Sequence, residues 1–577
     1  MDGASDDLNP TQWAAAIGLL VLLAVPLAVG LAWWCKRRYA RAVVALQRSA
    51  APAAAAPTPL AAPAPAAAPS TPAALRIDIG TVTEAAAGEP PPELAAGRRM
   101  RRRVLIAQLV LGTVYWWSLL VAVIVALAVY SNATGESAAG SDGDAGLWGY
   151  AFIWPLLLAA PLLAWAFQAG WRESRVWAGF GLAFAAMFAG LLATRTGAIE
   201  STAAIAAMAA FSAMPLAFMR PDFRGAGPPL TLALTGGMLV FWILGAIAAA
   251  FDDSEPNAPT TTQDIVILLV GLAAMLAVAG WVAWRLLLRQ ARRYADKRFS
   301  DLALAHDAYW ALITAFTAAA VLTISFEERT GGSMEWVALA VLLLWWLWRA
   351  ALRRLVRALV RSAPAGGPSL LLLRVFKPSA RSESFMDRLL ARWRFVGPAW
   401  MIAGPDLAGA FMEPDEFFTW LRRRLHERFI AHTDEVRARL AALDVARDPD
   451  ARFRVSELFC ADSTWQAAVL ALMDRADVLL LDLREYTPQR AGTHFELVQL
   501  LRRCDLRRVR VLIDARDDAQ AVAAAIRNAW REAARPAAAD TAALALLAIG
   551  NGSETELQAL TQALAQAAQT PRATALH

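Results

Sequence analysis

Cysteine, histidine and tyrosine are scarce in this chain, which holds 3 Cys, 5 His and 7 Tyr among 577 residues. The three cysteines, Cys35, Cys460 and Cys504, build no disulfide framework, and none sits in a CxxC or a Cys/His cluster that would hold zinc. Charge is thin as well. Charged residues make up 18% of the chain, below the roughly 25% of an ordinary soluble domain. There is no G-x-G-x-x-G and no P-loop, which removes the standard dinucleotide fingerprint and P-loop NTP hydrolysis. The net charge of +6 would suit nucleic acid, but Lys and Arg cluster beside apolar runs, where membrane helices collect them. Nucleic acid is therefore not expected as a partner.

What the chain has instead is apolar length. Hydrophobic residues reach 58%, with 23 Trp and 23 Phe. The run Trp13–Cys35 is long enough to span a bilayer. It follows an acidic leader, "MDGASDDLNP", and precedes "KRRYAR". That polarity is the reverse of a cleaved signal peptide, so an uncleaved span with its N-terminus outside is expected. Ser49–Ala74 is almost entirely Ala and Pro. Repeated proline forbids helix there, and a disordered linker is expected over 49–100.

Eight further apolar runs follow: Val104–Tyr130, Leu147–Gly170, Val176–Thr194, Thr202–Met219, Leu230–Phe251, Ile265–Trp284, Ala308–Phe326 and Trp336–Trp348. Acidic connections such as "FDDSEPNAPTTTQD" alternate with basic ones such as "RLLLRQARRYADKR". The alternation predicts nine spans, in an inner membrane, with the C-terminal part cytoplasmic. No ionisable residue falls well inside any run, which disfavours a polar-site transporter. The expected organisation is a first span in 1–48, the linker 49–100, eight spans in 101–350, a basic linker 351–369 and a cytoplasmic domain 370–577.

From Leu370 short apolar runs alternate with amphipathic stretches. The predicted strands are Leu370–Phe376, Ala399–Gly404, "FRVSELF", Asp477–Leu483, Arg508–Asp514 and "ALALLAIG". Helices are predicted between them, one opening at Ser384 with an S-x-x-D start. "DEFFTWLRRRLHERFIAHTDEVRARLAAL" reads as one long helix. This alternation predicts an α/β domain with a mainly parallel sheet covered on both faces. Ligands of such sheets bind beyond the carboxyl ends of the strands. The loops there carry Lys377, Ser379, Arg381, Asp406, Asp462, Asp482 and Arg484, a mixed rim suited to an anionic, sugar-bearing ligand.

The segment "ADVLLLDL…AGTHFEL" resembles the strand–loop–helix of the TIR and nucleoside deoxyribosyltransferase-like group, and "LLLLRVFKPSARSESFMDRLLARW…AWMIAG" resembles the TIR-type opening. The resemblance covers about 150 residues of the last third and does not extend to the membrane part. It implies that Glu496 engages a ribose and supports cleavage of an N-glycosidic bond, with NAD or another nucleotide as ligand. A carboxylate there would stabilise oxocarbenium character, and the helix N-terminus would hold it ionised. Read from the residues alone, Thr493 and Glu496 form a T-x-x-E capping box. Asp482 could order its loop, Trp465 could stack on a base or be buried, and Lys377 and Arg381 could hold phosphate or stay solvated. His494 has no triad partner. Three functions follow as expectations: a membrane sensor or signalling protein with glycosidase chemistry, a self-associating scaffold, and a channel gated by the cytoplasmic domain.

Overall fold

The computed structural model describes residues 29–47, 75–134, 174–182, 185, 223–250, 262–328, 333–361, 366–374, 380–403, 412–461, 463–484, 486, 491–534 and 542–571. The chain divides into two units. One comprises 1–38, 104–358 and 411–422, and the other 39–103, 359–410 and 423–577.

The second unit is built on a single parallel sheet of eight strands. These are β1 (Leu75–Thr81), β2 (Leu370–Arg374), β3 (Ala399–Ala403), β4 (Phe429–Ile430), β5 (Val455–Cys460), β6 (Val478–Asp482), β7 (Val509–Asp514) and β8 (Ala542–Ile549), in the order β1-β8-β7-β6-β2-β3-β5-β4. Every pairing in the sheet is parallel. Counted from β2 and leaving aside β1 and the two-residue β4, the order is 3-2-1-4-5-6. That is the order of dinucleotide-binding sheets, distinct from the 2-1-3-4-5 of the flavodoxin type. Its switch point lies between β2 and β6, whose carboxyl ends meet at the register pair Arg374–Asp482.

The central strands are continuous apolar runs because both faces are covered. Leu371, Leu373, Leu479, Leu481, Val509 and Val511 face one core, with α10 (Trp465–Arg475), α11 (Ala491–Arg503) and α12 (Ala519–Ala533). Leu370, Leu372, Val478, Leu480 and Leu512 face the other, with α7 (Ala380–Trp393) and α13 (Glu554–Ala568). Ser369 and Asp477 tie the starts of β2 and β6 together, the Asp477 carboxylate accepting from Ser369 N at 2.9 Å and from its hydroxyl at 2.8 Å. The backbones entering β2 and β3 also press together. A Cβ on Gly397 would lie 1.8 Å from the Pro368 carbonyl oxygen, and one on Gly367 2.0 Å from that of Val396.

Three expectations are corrected here. Residues 75–100 are not a disordered tail of the linker. They hold β1, the one-turn α1 (Val82–Ala85) with a capping box between Thr81 and Glu84, and the start of α2 (Pro92–Thr134). The long helix between β3 and β5 is broken. It becomes α8 (Pro414–Leu421), Arg423 in the left-handed region at φ 59, a 3-10 turn, β4 and α9 (Glu435–Ala441). Helix α7 opens at Ala380, so Ser384 and Asp387 lie inside it rather than at its start.

The first unit is helical. Besides α2 and α8 it contains α3 (Gly227–Ala250), α4 (Thr262–Ala295), α5 (Asp301–Glu328) and α6 (Ser333–Val360). Among the described residues four stretches are long and apolar enough to cross a membrane by length and composition: Pro92–Ala126, Gly227–Gly245, Ile265–Ala295 and Trp336–Val360. They correspond to four of the nine expected spans. A fifth, Ala308–Phe326, is helical within α5 but is not among them. The runs Leu147–Gly170 and Thr202–Met219 lie outside the described residues. Trp13–Cys35 and Val176–Thr194 are described only in part, as helix over 29–35 and 176–182. Tyr115 of α2, Trp310 of α5 and Trp348 of α6 form an aromatic knot, with ring centroids 5.1–5.7 Å apart. The Trp348 indole donates to the Leu111 carbonyl at 3.0 Å. Residues 411–422, which follow β3 in the chain, also belong to this unit. Phe418 packs on Tyr294 at 5.3 Å, and Glu413 pairs with Arg224.

Candidate functional site

All eight strands run the same way, so the loops beyond their carboxyl ends share one edge of the sheet. Of the expected rim, Lys377, Ser379, Asp406 and Asp462 lie outside the described residues, and Arg381 is placed in α7 with its side chain not described. Trp465, Asp482, Arg484 and Glu496 are placed in full.

Asp482 ends β6 and is buried. Arg484 folds back onto it. Its Nε donates to Oδ1 at 2.9 Å and its Nη2 to Oδ2 at 2.7 Å. The Arg484 amide also donates to Oδ1, at 3.1 Å. The same guanidinium donates to the Ser382 hydroxyl of α7 at 3.0 Å and lies over the Phe385 ring at 4.2 Å. Both side chains are thus spent on one another and on α7. The loop-ordering role of Asp482 is the one the geometry shows. Ser382 and Phe385 went unnoticed in the sequence because neither type is distinctive in a loop-to-helix stretch.

Glu496 occupies a different place. Along β6, side chains alternate between the two cores, and Asp482 shares a face with Val478 and Leu480 on the α7 side. Glu496 lies on α11, on the opposite face. It shares the inward stripe of that helix with Thr493, Leu497, Leu500 and Leu501. Asp482 and Glu496 therefore belong to opposite faces of the sheet.

The capping-box reading of Thr493 and Glu496 is corrected. Helix α11 begins at Ala491, so both residues are within it. Their free atoms, Thr493 Oγ1 and Glu496 Oε2, are buried with no hydrogen-bond partner among the described residues. Glu496 is 3% exposed. Burial pushes its carboxyl up to about 8. The expectation of an ionised carboxylate is reversed: desolvation outweighs the helix N-terminus, and the group is neutral at pH 7.

Trp465 opens α10 and is half-buried, edge-on to Phe495 of α11 at 5.3 Å and 75°. It seats the two helices against each other. His494 points outward to Glu532, with Nε2 2.8 Å from the carboxylate. Cys460, at the end of β5, is buried, and desolvation raises its thiol to about 12, which leaves it inert. Among the described residues no three His, Cys, Asp or Glu side chains converge as a metal site would need.

No family model matches the chain, and no curated protein or solved structure is similar to it.

Proposed function

We propose that this chain is a multi-pass inner-membrane signalling protein whose sheet unit is a TIR-like domain that cleaves an N-glycosidic bond of a nucleotide-type ligand, with Glu496 as the acid. The observation that carries this reading is the neutral, buried Glu496 carboxyl, one oxygen of which has no hydrogen-bond partner among the described residues, set in a stripe shared with Thr493 and leucines. An unpaired buried polar atom costs about 1–3 kcal/mol. Perturbed carboxyls of this kind concentrate at functional sites.

The chemistry suits a neutral base. The C1′–N bond breaks, its electron pair stays on the base nitrogen, and that nitrogen takes the Glu496 proton. Water adds to C1′ and returns a proton to the carboxylate. General-acid help of this sort contributes about 100- to 10,000-fold. Nicotinamide leaves NAD as a neutral molecule and needs no proton, so a nucleoside or nucleotide with a neutral base fits better than NAD. The 3-2-1-4-5-6 strand order supports a nucleotide-type ligand at the carboxyl edge.

The membrane reading has its own support. Strand β1 precedes α2, and β2 follows α6, yet both belong to one sheet. The chain must then cross a bilayer an even number of times between Thr81 and Leu370. Eight crossings, after a first span with its N-terminus outside, meet that condition and leave the sheet cytoplasmic. The contribution of 411–422 to the helical unit, straight after β3, supports a signalling role.

The test uses the purified full-length protein with adenosine, cytidine, their monophosphates and NAD, and follows released base by chromatography. Release from a neutral-base substrate is expected, with Glu496→Gln slowing it at least about 100-fold. No release from any substrate, or an undiminished Gln variant, removes the enzyme reading.

A further inference from the structure

The helical unit holds a cavity of about 630 Å³ lined by α3, α4, α5 and α6. Its lining is mixed in chemistry. Leu232, Leu239, Leu286, Leu342 and Trp345 are apolar. Arg289 and Arg293, one turn apart on α4, line it together with Arg349 of α6 and Asp307 of α5, and the Arg349 guanidinium lies 4.5 Å over the Trp345 ring. The Asp307 carboxylate is already engaged, accepting from Arg349 Nη2 at 2.6 Å and from Arg353 Nη2 at 3.3 Å. Two guanidinium groups thus hold the carboxylate, and those of Arg289 and Arg293 line the same cavity. Arg289 and Arg293 pair with no acid among the described residues.

Two buried polar side chains on the cavity wall are unpartnered as well. Thr235 is 4% exposed and Gln290 7%. Thr235 Oγ1 and Gln290 Oε1 have no hydrogen-bond partner among the described residues. Thr231, one turn earlier on the same helix, shows the usual arrangement, donating its hydroxyl to the Gly227 carbonyl at 2.9 Å. Thr235 makes no such bond, so its hydroxyl is left for an acceptor in the cavity.

From this geometry we infer that the cavity binds an anionic phospholipid, its phosphate against Arg289 and Arg293 and its acyl chain along the leucine wall. The phosphate oxygens would accept from Thr235, and a headgroup hydroxyl would donate to Gln290. Leu343 and Trp346 also line the cavity, yet they are 53% and 63% exposed. On helices that span a membrane, exposed Leu and Trp face acyl chains. The cavity therefore opens sideways toward lipid, which favours a bilayer molecule over a free anion from water. Basic pockets between transmembrane helices recognise such headgroups.

The experiment is native mass spectrometry of the detergent-purified full-length protein. Phosphatidylglycerol or phosphatidylcholine of matched chain length is added back, with and without inorganic phosphate. Phosphatidylglycerol should be retained at least about tenfold better than phosphatidylcholine, a factor that equals about 1.4 kcal/mol. Arg289→Gln with Arg293→Gln should erase that preference while the elution volume stays the same. Thr235→Val, which removes one hydroxyl and little shape, should weaken retention about threefold and carries the test if the double variant does not fold. Equal retention of both lipids, a double variant that keeps its preference, or displacement of phosphatidylglycerol by millimolar phosphate would overturn the proposal.

Discussion

Arg484 closes over Asp482 in a two-pronged ion pair at 2.7 and 2.9 Å, two residues apart in the chain and at the switch point of the sheet. Both side chains are buried, and the guanidinium also reaches Ser382 and Phe385 of α7. The pair is a clasp between the end of β6 and the start of α7.

Asp482→Ala should therefore destabilise the protein by about 3 kcal/mol, because it strands a buried guanidinium. Asp482→Leu combined with Arg484→Met should recover most of that loss, since two apolar groups leave no charge unpaired. Chemical unfolding of the single and double variants gives the coupling directly.

Glu496 sets a pH dependence. Burial pushes its carboxyl up to about 8 in the folded protein from the ordinary 4.5. Between those values the unfolded chain releases the proton and the folded chain keeps it, so this group lowers stability as pH rises, by up to about 1.4 kcal/mol per pH unit. Glu496→Gln removes the titration. The variant should gain on the wild type steadily from pH 5 to pH 8 in thermal melts, and a constant difference across that range would contradict the assignment.

Gly397→Ala and Gly367→Ala should each cost at least about 1–3 kcal/mol. Their Cβ atoms would meet carbonyl oxygens at 1.8 and 2.0 Å, and backbone cannot step aside as a flexible side chain can. Melting temperatures of the two variants check this. Gly366, with nothing within 4 Å of its Cβ, serves as the tolerant control.

The β1–β8 pairing predicts a crosslink. Asp78 is opposite Ala545 in the register. Asp78→Cys with Ala545→Cys should join under mild oxidation, so that proteolysis within 136–222 leaves the two fragments connected until reductant is added. The native Cys35, Cys460 and Cys504 are buried and should stay silent. Failure of the fragments to remain linked would remove β1 from the sheet.

The parts legible in the sequence were those whose burial is complete. Strand β6 and its neighbours β2 and β7 are unbroken apolar runs, and a parallel sheet covered on both faces leaves them no other reading. Strand β1 carried a signal too, with Leu75, Ile77 and Ile79 alternating against polar residues, but the Ala/Pro stretch beside it masked a pairing whose partner lies in β8. The 415–443 segment misled for the opposite reason. Its apolar residues recur at helical spacing, while Phe429 and Ile430 are taken by the edge of β5, a tertiary demand that local periodicity does not encode. The sequence places His306 and Asp307 just before the Ala308 run, whereas α5 starts at Asp301 and carries both into the buried bundle. At the site, T-x-x-E in Thr493–Glu496 fits a cap only if the helix starts at Thr493. Two earlier helical residues turn the same letters into a buried couple whose Oγ1 and Oε2 have no partner among the described residues.

The place of β1 also fixes an order of events in synthesis. Its partner strand lies near the other end of the chain, with every described transmembrane candidate encoded between them. At ribosomal speed that interval lasts roughly 25–90 s. Throughout it Leu75–Thr81 has been made and has no β8 to join, while the apolar helices behind it are still being synthesised. A chain that stops before β8 leaves that strand unmatched, so closure of the β1–β8 pairing reports that the helices between the two strands have been translated.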